Sequence, residues 1–245
     1  LERLFKETAS YAEEVHVEEI ACRSGVPNGE MHPAATVGLP FRNPAIQIAR
    51  SLSREDRIEA IAHECLHLLL VYRHGLGMVG RRVPRPGNRE DVFRYFMTMN
   101  GDWVYLLNQT ANTAHHLILR DYLKNEYGIE SRLHLRLLRH NFRILSMEKS
   151  TDLESVYAKG LIAYEYETLI GRINGMLSPS SATEPFWMAF CSARERFGGH
   201  SFESIPTPEA YERNILSFLE SLGYKREDFL FFRAPGKENP VPVEK

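Results

Sequence analysis

The sequence predicts an α+β fold, predominantly α-helical. A small N-terminal β-sheet packs on one helix bearing a His-Glu-x-x-His motif, and a helical body follows. Three observations carry this expectation. Short runs of strand character, bounded by Gly and Pro, occur only before Ser53. From Ser53 to Tyr72 apolar residues recur at helical spacing, and from Glu90 onward almost the whole chain keeps that spacing.

The elements follow in order. Residues 2–16 read as a short amphipathic helix, and "HVEEIACRS" and "HPAATVGLP" each hold a short strand, with Gly25-Val26-Pro27-Asn28-Gly29 as the turn between them. In "NPAIQIARS", Ile46 and Ile48 alternate with Gln47 and Arg50, as in a half-buried strand. Ser53, with Glu55 and Asp56 in the turn after it, starts a helix. Ile58, Ile61, Ala62, Cys65, Leu66, Leu69 and Leu70 recur at helical spacing, which carries the helix to about Tyr72. Gly75, Gly77 and Gly80 end it, and "GRRVPRPGNR" is a basic loop that cannot continue a helix. Helices are then expected over about 91–125, 131–147, 152–176, 184–197 and 207–222, with "SPSSATEP" separating two of them. One domain over residues 1–232 is expected, followed by a flexible tail, 233–245, too poor in apolar residues to pack.

Composition removes several classes. Apolar residues make up 43% and charged residues 25%, and the formal net charge is −2, so no overall field draws the chain to nucleic acid or an acidic membrane. No run approaches the ~18 uninterrupted apolar residues of a spanning helix. Charges interrupt the opening "LERLFKETASYAEEVHVEEI", which does not read as a secretory signal, although the sequence starts without Met. Cys22, Cys65 and Cys191 are odd in number and far apart, which favours a reducing, cytoplasmic setting over a disulfide framework.

The chemistry lies in His63-Glu64-Cys65-Leu66-His67. Histidines at i and i+4 share one helix face, about 40° apart around the axis. Neutral imidazoles so placed can both reach one Zn²⁺ at about 2.0–2.1 Å. Glu64 projects beside such an ion and can take a proton from a water that the ion acidifies. The motif is set in "IAHECLHLLL", where polar groups need partners that a metal would supply. Cys65 reads as a small buried filler.

The run "NPAIQIARSLSREDRIEAIAHECLHLLL", some 30 of the 245 residues, resembles the strand-then-helix core of zincin metallopeptidases. The resemblance implies a zinc-dependent metallopeptidase acting on a peptide or protein substrate, with His63 and His67 as metal ligands and Glu64 as general base. The Gly and third His of the metzincin form are absent, since "LLLVYRHGLG" follows His67. The alternative is a zincin-like module without catalysis that binds or senses a protein partner; a helical scaffold without metal is a further rival.

A catalytic zinc takes three protein ligands. The leading candidate for the third is His115, which shares a helix face with Ile118, Leu119 and Tyr122. The alternative is His116, on the face of Asn112 and Leu123. Asn108 lies in the same run, and Asp121 could hydrogen-bond a ligand imidazole. Glu90, Asp91 and Asp102 are acidic alternatives. In "LIAYEYETLIGRI", Glu165 could supply a carboxylate ligand, and Tyr164 or Tyr166 could steady an oxyanion; core packing and a solvated edge are the plainer reading for these and for Glu167. His134, His140 and His200 read as surface residues; the loop with Arg81, Arg82, Arg85 and Arg89 could cover the site or grip an acidic partner, with a solvated loop as the plainer reading.

Overall fold

Backbone pairing, not local preference, ends the first helix. In this computed structural model, which describes residues 1–12, 15–20, 34–37, 44–81, 101–147, 152–173, 176–177 and 182–233, α1 covers only Glu2–Tyr11. The expected helix over 2–16 is thus too long: His16–Ile20 forms strand β1, parallel to β3 (Ala45–Ala49), with His16 opposite Ala45 and Ile20 opposite Ala49. Strand β2 (Ala34–Val37) runs antiparallel to the other edge of β3, giving the order β1-β3-β2. Ile46 and Ile48 are buried, while Gln47 donates to Glu18 Oε2 at 3.0 Å, so the alternation in β3 is as expected. The turn expected at Gly25–Gly29 lies outside the described residues.

Helix α2 (Arg54–Tyr72) starts where the capping signal sits: the Ser53 hydroxyl accepts from the Asp56 backbone N–H at 3.1 Å. It touches β2, β3 and α1. From Cys65 to Val71 every residue is buried, so this half of the helix is enclosed on all sides. Each of its four buried leucines contributes about 1.5–3 kcal/mol by leaving water.

Gly80 and Arg81 are not loop residues. They end strand β4 (Met78–Arg81), which pairs antiparallel with β5 (Phe229–Phe232) near the other end of the chain, a pairing that no local pattern predicts. Residues 82–100, with Arg82, Arg85, Arg89, Glu90 and Asp91, and the expected tail at 234–245 lie outside the described residues.

The body comprises α3 (Gly101–Tyr127), α4 (Arg132–Met147), α5 (Leu153–Leu169), α6 (Glu184–Phe197) and α7 (Pro208–Ser221). Helix α5 stops seven residues earlier than expected; Arg120 donates to its terminal Leu169 carbonyl at 3.1 Å, and Gly171 follows at φ 145°. The α5–α6 contact is close because Gly160 lacks a side chain: a Cβ there would stand 2.6 Å from the Phe186 carbonyl oxygen. One cluster of buried apolar side chains runs from Leu4 through α2–α7 to Phe229. Among the described residues no helix is long and apolar enough to cross a membrane.

Candidate metal centre

Four helices bring histidines and a carboxylate to one cavity of about 320 Å³. Helix α2 contributes His63, Glu64 and His67; α3 contributes Asn112, His115 and His116; α4 contributes His134; and α5 contributes Glu165. Ala34 and Ala35 of β2 close one side.

The His67 ring is the centre of the arrangement. Its Nε2 lies 3.1 Å from His63 Nε2 and 3.2 Å from His116 Nε2. Ligand nitrogens at 2.0–2.1 Å from one tetrahedral ion are separated by about 3.3–3.4 Å, so these spacings fit a shared cation. The ring centroids of the three imidazoles stand 4.8, 5.0 and 5.1 Å apart. His63, His116 and His134 also offer nitrogens that all lie within 4.8 Å of one another, close enough to hold a metal ion.

His115 takes a different place from its neighbour. Consecutive helical residues are turned by about 100°, so the two side chains meet opposite edges of His67. His116 reaches Nε2, whereas His115 Nδ1 stands 3.1 Å from His67 Nδ1. Of the two candidates for a third ligand, the structure therefore sets His116 beside the converging Nε2 atoms and His115 behind the ring. His115 Nε2 meets the Tyr211 hydroxyl at 3.2 Å.

Glu165 anchors the opposite side. Its Oε1 is 2.8 Å from His116 Nδ1, and its Oε2 accepts from Thr113 Oγ1 at 3.3 Å and Gln109 Nε2 at 3.5 Å. His134 Nε2 lies 3.3 Å from the same Oε1 without hydrogen-bond alignment, an electrostatic contact. Helix α4 presents His134 because Glu59 of α2 accepts the backbone N–H groups of Leu133 and His134 at 2.8 and 2.9 Å, satisfying the open donors of that helix start.

The electrostatics fit a cation. Burial, reinforced by the neighbouring imidazoles, pushes the pKa values of His63 and His67 well below the ordinary histidine value and that of His115 down to about 3. These rings are therefore neutral, the form that ligates. Burial pushes the Glu165 pKa up, but His116, hydrogen-bonded to it at 2.8 Å, and the nearby His134 outweigh burial and hold the carboxyl below its usual range. Among the described residues no partner of Glu165 is Lys or Arg: its carboxylate meets only His116, His134, Thr113 and Gln109. Buried negative charge facing neutral lone pairs is what a divalent cation would compensate. His63 Nδ1 has no hydrogen-bond partner among the described residues.

Several expectations fall elsewhere. His134 and His200 are not surface residues: His134 enters the cavity, and His200 is buried against Phe197 with Nε2 3.1 Å from the Asn214 amide. Of these three, His140 is the one that is exposed. Asp121 is also exposed and does not meet the histidine cluster. Tyr164 and Tyr166 are core residues, the latter stacked on Phe142 at 4.4 Å, and Glu167 pairs with Arg194. Cys65 is fully buried, its thiol pushed up to about 12 by burial. His134 was legible only as the helix-start neighbour of "SRLHLRLL"; nothing in that charged run signals that a distant glutamate caps it.

Compared with protein-family models, with curated proteins and with solved structures, the chain matches none.

Proposed function

We propose that this chain is a zinc-dependent hydrolase of the zincin kind that cleaves peptide bonds. The observation that carries the reading is the approach of His63, His67 and His116 through their Nε2 atoms, at 3.1 and 3.2 Å about His67, in a cavity that Glu64 also lines. His63, His67 and His116 would hold the ion, and when bound it would supply Lewis-acid chemistry towards a carbonyl and a water. Glu64 takes the proton of the attacking water and returns it to the leaving amine. Glu165 accepts the His116 Nδ1 proton, which puts the lone pair of the neutral His116 ring on Nε2.

A peptide substrate is supported by strand β2. Ala34 and Ala35 line the cavity, so an extended chain laid beside β2 would pass the histidine cluster. Carboxamides of Asn108, Gln109, Asn112 and Asn141 line the cavity and can bond peptide groups.

One observation favours a second reading, a closed structural site to which His134 also contributes: its ring stacks 4.9 Å from that of His63, and His63, His116 and His134 offer nitrogens within 4.8 Å of one another. Metal analysis with a broad peptide-library assay separates the readings. The hydrolase reading expects one zinc per chain in the wild type. Glu64→Gln keeps that zinc and loses hydrolysis, His116→Ala loses the zinc, and His134→Ala retains it. Zinc lost equally in His134→Ala, together with no cleavage by the wild type, supports the closed site instead.

A further inference from the structure

We propose that His115 and Tyr211 are positioning residues of the metal centre, a His67–His115–Tyr211 line of hydrogen bonds that fixes which nitrogen of His67 is free to bind. This rests on the reading of His63, His67 and His116 as ligands.

The geometry is continuous. His67 Nδ1 lies 3.1 Å from His115 Nδ1, and His115 Nε2 lies 3.2 Å from Tyr211 Oη. All three residues are buried, and the Tyr211 ring stacks on that of His115 at 5.6 Å with the planes 29° apart. A neutral imidazole has one N–H and one lone pair. If His67 binds through Nε2, its proton sits on Nδ1, and inside the protein that proton needs an acceptor. His115 Nδ1 accepts it. The His115 proton is then on Nε2, and the Tyr211 oxygen accepts that one. The opposite polarity would put a proton on His67 Nε2 and block the ion, so the polarity of the line decides whether His67 is a ligand at all.

Two of the three proposed ligands are held by different chemistry. His116 leans on the Glu165 carboxylate, whereas His67 leans on two neutral rings. A carboxylate behind His67 would add buried negative charge beside that of Glu165. The neutral line orients the ligand without that cost. It also explains the paired histidines of α3: one reaches the ion, and its neighbour holds another ligand.

Zinc affinity, measured by competition against a chromophoric chelator, tests the proposal, with circular dichroism and melting temperature as the check on folding. His115→Phe, which keeps a ring but removes the acceptor, is expected to weaken zinc binding about 10–100-fold. In His115→Asn the carboxamide oxygen stands close to the position of Nδ1, and most of the affinity should return. Tyr211→Phe keeps the stacked ring and should weaken binding several-fold. Wild-type affinity in a folded His115→Phe overturns the proposal, as does His115→Asn binding no better than His115→Phe, since packing alone would then account for the loss. Should His115→Phe fail to fold, wild-type affinity in Tyr211→Phe overturns the outer link by itself. A wild type that binds no zinc overturns the ligand assignment, and this proposal with it; zinc bound equally by all variants overturns only the positioning line.

Discussion

Helix α5 lies between two unlike surroundings. Towards α6 it is dry: Gly160 meets Phe186 and Ala189 with no room for a methyl group, and Leu161, Ala163 and Tyr164 are buried around it. Within the cavity Glu165, five residues after Gly160, is just as buried but joins His116, Thr113 and Gln109. In the first region volume decides which residue is tolerated. In the second a buried charge is tolerated because Thr113 and Gln109 donate to it and His116 hydrogen-bonds it. Burial alone therefore says little about whether a position serves packing or chemistry; the partners say it.

Substitutions on the two sides should separate cleanly. The largest effect is expected at Glu64, where Gln lowers hydrolysis by about 10²–10⁴-fold with zinc content and melting temperature unchanged; loss of zinc in that variant would contradict its role. Glu165→Gln should weaken zinc binding by about 10–100-fold, because a neutral amide holds the His116 proton less well, with a smaller change in folding stability. In the dry seam the pattern inverts. Gly160→Ala should cost about 1–3 kcal/mol in chemical denaturation, while the folded fraction binds zinc with wild-type affinity. Metal itself links the regions: zinc at a hundred times its Kd should stabilise the wild type by about 2.7 kcal/mol, and His116→Ala should abolish this gain. The smallest effect lies far from both, where Ser53→Ala removes the α2 cap and should cost about 1 kcal/mol.

Cysteine labelling sharpens the same contrast. Cys65, between the two motif histidines, is fully buried with its thiol pushed up to about 12, so it should resist alkylation in the native state, whereas exposed Cys191 should react. Rapid native-state labelling of Cys65 would show that the α2 core opens readily.

The sequence alone determined the parts governed by nearest neighbours. Ser53 with Asp56 marks a helix start whatever surrounds it, and a four-residue interval puts His63 and His67 on one face through backbone geometry. The α+β class, β3 and most helix bounds were legible for the same reason. What only the tertiary structure decided are contacts between residues far apart in the chain: the pairing of β4 with β5, the end of α1, the cap from Glu59 that turns His134 inward, and Glu165 behind His116. His115 and His116 show the boundary best. Periodicity marked His115 as inward-facing, and it is buried, but an apolar stripe says only that a residue faces the interior. Which edge of His67 each ring meets depends on how α3 crosses α2, and helix packing sets that through side chains spread over both helices rather than through any local run.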